Sequence, residues 1–149
     1  MAARGTGVAR TADRRDPRPG VSGRALLVVA AVLGAATRWG IGELLDTGTE
    51  GVGWATLVAN VLGCLLLGIA THDVVARPSR ARLGRWQAAA AGFCGGLSTF
   101  STLVVRTAEA LGDGRPADGL ADLALSVGAG LAAVALGTAL GRRLVGANP

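Results

Sequence analysis

Three polar features lie inside otherwise apolar stretches of this sequence, and they define the chemistry open to it. Arg38 falls within an apolar run that begins after Arg24. A cation at membrane depth is costly, so its guanidinium must face a wet cavity, an anion or the membrane interface, to which a long side chain can snorkel. Thr56 and Asn60 are four residues apart, which puts both on one face of a helix. The Asn60 amide has two N–H donors, suited to a desolvated anion or to a hydrogen bond that glues two helices together. The third feature is Gly92-Phe93-Cys94-Gly95-Gly96-Leu97-Ser98-Thr99-Phe100-Ser101-Thr102, where three glycines and four hydroxyl residues crowd the middle of an apolar segment. Such residues weaken a helix. Backbone groups freed at that depth must be satisfied by protein, water or an ion, as in the broken helices of channels and transporters. In the simpler alternative the hydroxyls bond back to the preceding turn of a kinked helix. Cationic and neutral donors without an acidic centre favour anion conduction.

No enzyme constellation accompanies these features. His72, the one histidine, sits at the end of an apolar run and reads as an interfacial residue rather than a base. Glu43, Glu109 and Asp122 lie near the ends of such runs, and none lies at a centre. Proton-coupled carriers place a carboxylate well inside the membrane. Cys64 and Cys94 have no CxxC or Cys/His spacing and read as small packing residues.

The elements that must position these groups follow from the apolar pattern. The chain has 149 residues, enough for one domain, and half of them are hydrophobic. Four segments, about 24–45, 53–75, 85–110 and 119–141, are long enough to cross a hydrocarbon core of roughly 30 Å at about 1.5 Å per residue. In lipid, runs of this length must be helical. The expected fold is therefore an all-α integral membrane domain over 23–145, with four transmembrane helices, the third of them broken. Residues 1–22, with five arginines and two prolines, read as a disordered basic tail, and 146–149 as a short C-terminal tail. Ala133, Gly137 and Gly141 form a small-residue row for close helix packing, within the chain or between subunits.

Charge then orients the bundle. The formal net charge is +5 and every basic residue is arginine. These arginines end apolar runs instead of forming a stripe, which excludes nucleic acid as the partner. The N-terminal tail, the segment with Arg77, Arg80, Arg82 and Arg85, and the end with Arg142 and Arg143 are basic, whereas the other two connections carry Asp46, Glu50, Asp113 and Asp118. Both termini are expected in the cytoplasm of a multi-pass plasma-membrane protein.

The third-span run resembles the signature of the Fluc (CrcB) fluoride channel family. Gly34-Ala35-Ala36-Thr37-Arg38-Trp39 and Thr56-Leu57-Val58-Ala59-Asn60-Val61-Leu62-Gly63 extend the resemblance over all four spans, about Arg24 to Arg143. It implies passive export of fluoride through two pores of an antiparallel dimer. It also implies a central structural sodium ion held by backbone carbonyls, which by motif position are those of Gly95 and Ser98. Asn60 matches the family's pore asparagine, Arg38 its first-span arginine, and Phe100 the first of two pore phenylalanines, whose positive ring edges can face an anion. Thr56 and Ser101 match pore-side hydroxyls. The second phenylalanine is replaced by Leu103. A subunit that inserts both ways up should have balanced loops, and this one does not. A homologous partner of opposite bias, giving a heterodimer, is therefore favoured over a homodimer. A small proton-coupled multidrug-type transporter and a non-transporting membrane scaffold are the competing readings.

Overall fold

The computed structural model describes residues 21–45, 52–76 and 80–146. The expected basic tail, apart from its last two residues, lies outside the described residues, as do the acidic Asp46 and Glu50, Arg77 and the last three residues. Among the described residues five helices follow in order: α1 (Val21–Leu45), α2 (Trp54–Ala76), α3 (Arg80–Leu97), α4 (Ser101–Gly112) and α5 (Pro116–Gly146). They supply four segments long and apolar enough to cross a membrane: Ser22–Leu45, Trp54–Thr71, Arg85–Gly112 and Pro116–Leu144. The third of these combines α3 with α4.

Large apolar side chains point outwards on every span, among them Val28, Val32, Val105, Leu131 and Leu136. In water so much exposed leucine and valine would drive aggregation; in lipid it is the required outer surface. The chain is thus an all-α, multi-pass membrane protein.

Glycines determine how closely the helices approach. Helix α1 packs on α3, and α2 on α5. A Cβ on Gly34 would collide with the carbonyl of Phe93, one on Gly92 with that of Leu27, and one on Gly96 with that of Ala31. On the other seam, Gly137 abuts the Leu65 carbonyl, and a Cβ on Gly68 would lie 2.5 Å from that of Val134. Backbone meets backbone on both seams, the arrangement that small residues permit in lipid. The row through Ala133 and Gly137 accordingly serves packing inside the chain.

The ends of α5 extend beyond the 119–141 estimate. Pro116 is its first residue, where a missing N–H and a fixed φ cost nothing. Before it, Gly114 adopts φ +73°, Arg115 N–H bonds the Ala110 carbonyl at 2.8 Å and Gly114 N–H that of Leu111 at 3.2 Å. This pair of bonds is a Schellman close, which requires the left-handed glycine and ends α4 sharply.

Candidate functional site

Helix α3 stops at Leu97 and α4 starts at Ser101, with Ser98, Thr99 and Phe100 between them. The site is organised around the peptide group of Thr99. Its N–H donates to Asn60 Oδ1 at 2.7 Å, and its carbonyl accepts from Asn60 Nδ2 at 3.0 Å. The side-chain amide of α2 therefore pairs with a backbone amide of the third span at both ends. The Thr99 hydroxyl accepts the Thr102 N–H at 3.3 Å and lies 3.2 Å from the hydroxyls of both Ser101 and Thr102. It thereby satisfies one N–H of the first turn of α4 from the position before the N-cap residue Phe100, whose own side chain makes no cap bond.

These bonds redirect two donors. In an uninterrupted helix the Thr99 N–H would bond Gly95 O, and the Thr102 N–H would bond Ser98 O. Here one goes to Asn60 and the other to the Thr99 hydroxyl. Among the described residues, the carbonyls of Gly95 and Ser98 are left without the helical donor each would have had. Ser98 itself stays attached to the turn before it, its N–H and its hydroxyl both reaching Cys94 O, at 2.9 and 2.8 Å. The back-bonding alternative thus holds for Ser98 and fails for Thr99.

Arg38 reaches the same region from α1. Its Nε donates to Gly96 O at 3.4 Å, placing a cation at the negative C-terminal end of α3. Arg38, Gly95, Gly96, Ser98 and Thr99 share one side of an open cavity of about 490 Å³ with apolar residues of α1. Asn60, Ser98, Thr99, Phe100, Leu103 and Ser126 help line a second cavity, of about 270 Å³. Thr56, Ser101, Thr102, Arg106 and Glu109 border a third, of about 490 Å³. The seven residues singled out from the sequence therefore divide among three cavities arranged around 98–102. Phe100 is 69% exposed and Leu103 only 3%, so the ring projects from the subunit while the leucine packs inside it.

Three further side chains take part. Thr99 makes the bonds just described. Ser126 is 5% exposed, and its hydroxyl has no hydrogen-bond partner, an unsatisfied polar atom on a residue that lines the same cavity as Asn60. Asp122, one helical turn earlier on the same face of α5, is also buried; its Oδ2 lies 3.4 Å from Arg106 Nε and its Oδ1 accepts the Gly53 N–H at 3.4 Å. The four-residue spacing of Asp122, Ser126 and Gly130 was the available signal.

Residues 25–138 match the sequence profile of the family described as CrcB-like protein, Camphor Resistance (CrcB). The chain belongs to the CrcB-like family. Among its relatives, Fluoride-specific ion channel FluC 2 of Rhodococcus jostii is 37% identical over 112 residues, covering 75% of this chain and 92% of that protein. Fluoride-specific ion channel FluC of Bordetella petrii is 39% identical over 113 residues, covering 76% and 86%. FluC 1 of Symbiobacterium thermophilum is 39% identical over 123 residues, covering 78% and 94%. The relatives are named as ion channels, not enzymes. The match to the CrcB-like family includes all the residues at the interruption and the α2 face that pairs with it.

Proposed function

We propose that this CrcB-like chain forms fluoride-conducting pores that export fluoride passively from the cytoplasm. The observation that carries the reading is the polar, non-helical stretch Ser98–Phe100, held by Asn60 in the middle of an apolar span, in a chain whose relatives are named fluoride channels. Fluoride is small and strongly hydrated, so a pore must replace its water with aligned donors. One N–H of the Asn60 amide is spent on Thr99 O; the second meets no protein acceptor among the described residues and is the donor available to an anion. The hydroxyls of Thr56 and Ser101 continue the polar line toward one end of the bundle, and the exposed Phe100 ring offers its edge.

The interruption is read as a functional break in the third span, and the subunit as half of an antiparallel dimer. The carbonyls of Gly95 and Ser98 suit a hard monovalent cation such as sodium, because each lacks its helical N–H. Two inverted copies would bring four such oxygens together around a twofold axis. That ion, held and not transported, would add fixed positive charge that favours anions.

The charge bias supports a heterodimer. A partner of opposite bias would insert the other way up, and would supply from its own third span the second aromatic ring that this chain lacks at position 103. The bias also supports cytoplasmic termini. A proton-coupled carrier is disfavoured because Asp122, the buried carboxylate among the described residues, is engaged by Arg106 near one end of the span. Reconstitution into vesicles tests the assembly. The chain combined with its homologous partner should release fluoride without a proton gradient, and the chain alone should not. Robust release from the chain alone would refute the heterodimer.

A further inference from the structure

We infer that Asn60 and Thr99 are positioning residues for the cation site, and that the pore amide and the cation are thereby coupled through one peptide group. The inference rests on the sodium reading above and adds to it a cause for the two carbonyls being available at all.

The geometry runs through donors. A carbonyl inside a helix is already bonded to the N–H four residues on, and a cation must compete with that bond. At Gly95 the competitor is the Thr99 N–H, which Asn60 Oδ1 holds at 2.7 Å. At Ser98 it is the Thr102 N–H, which the Thr99 hydroxyl holds at 3.3 Å. Asn60 Nδ2 on Thr99 O at 3.0 Å completes the pair and fixes the plane of the peptide. Remove the Asn60 amide, and the Thr99 N–H is free to return to Gly95 O. Remove the Thr99 hydroxyl, and the Thr102 N–H is free to return to Ser98 O. Either change gives a cation ligand back to the helix, although neither residue touches the cation.

The same peptide aligns the amide that faces the anion. The bond from Asn60 Nδ2 to Thr99 O fixes the direction of the second N–H of that nitrogen. A cation that holds the carbonyls of Gly95 and Ser98 in their unbonded orientation therefore also holds the anion donor in place. Sodium is thus linked to fluoride binding through residues on this chain and not only through its charge.

The test is sodium-dependent thermal stability of the purified full-length assembly, with sodium exchanged for a large organic cation at constant ionic strength. A ligand that binds only the folded state raises the melting temperature as its concentration passes its dissociation constant. Wild type should show such a rise. Asn60→Leu and Thr99→Val should each shift its half-point to about five- to tenfold higher sodium, the equivalent of one restored competing hydrogen bond. Thr99→Ser, which keeps the hydroxyl, should restore the wild-type half-point. It controls for general damage, as does Thr71→Val, which removes a hydroxyl that bonds back to Leu67 O on α2 away from the interruption. Variants that melt lower but keep the wild-type sodium half-point overturn the positioning role and leave the cation reading standing. A wild type indifferent to sodium overturns both.

Discussion

The guanidinium of Arg106 lies against the backbone of Gly53, with its Nε 3.4 Å from the buried Asp122 carboxylate. One contact thus joins the starts of α2 and α5 to the middle of α4. Asp122 is 4% exposed and uses both oxygens, one on Arg106 and one on the Gly53 N–H at the head of α2, where negative charge is favoured.

Asp122→Ala should therefore destabilise the protein by about 1–3 kcal/mol, the cost of leaving partly buried charged and polar partners unmatched. Asp122→Asn should cost less, because it keeps one acceptor. Thermal unfolding in detergent measures both. An unchanged melting temperature for Asp122→Ala would show that the pair holds nothing together.

The glycine seams give a sharper contrast. Gly34→Leu or Gly96→Leu drives a side chain into the backbone of the facing helix, where no side chain can move aside. Overpacking of that kind costs about 1–3 kcal/mol or more. Gly128→Leu meets nothing within 4 Å and should be tolerated. The yield of monodisperse protein separates the two classes, and equal yields would refute the seam packing.

Phe100→Ile should slow fluoride release about tenfold with little change in melting temperature. The ring is exposed in the subunit and contributes little to its core, and a tenfold slower rate corresponds to about 1.4 kcal/mol at the barrier. Release at the wild-type rate would remove the ring from the path.

Reporters fused to each terminus, active on one side of the membrane only, should both report the cytoplasm. An external terminus would refute the orientation derived from Arg142, Arg143 and the Arg77–Arg85 connection.

Much of the fold is legible in the sequence because lipid restricts the choices. Apolar runs of span length had to be helices, and the four expected segments correspond to the four in the structure to within a few residues, with α5 running longer at both ends. That extension came from Pro116, whose role as a helix start depended on the Gly114 turn before it. The site is less legible. Motif chemistry picked out Asn60, but its partner depends on the register of α2 against a segment 39 residues away. Thr99 is one of four hydroxyl residues close together, and only the turn of the chain decides which of them bonds the first turn of α4. The sequence places Asp122 only near the end of an apolar run, and its ion pair depends on Arg106 of another helix. For Arg38 the sequence leaves a wet cavity, an anion and the membrane interface open, and in the subunit its Nε reaches the Gly96 carbonyl.

Fluoride conduction itself is tested most directly in vesicles loaded with equal fluoride and chloride, carrying the chain with its homologous subunit, and followed with ion-selective electrodes. Wild type should empty the fluoride and retain the chloride, and Asn60→Asp, which turns an N–H donor into a second acceptor facing Thr99 O, should retain both. Fluoride leaving wild-type vesicles no faster than protein-free ones, or chloride leaving alongside it, would contradict a fluoride pore.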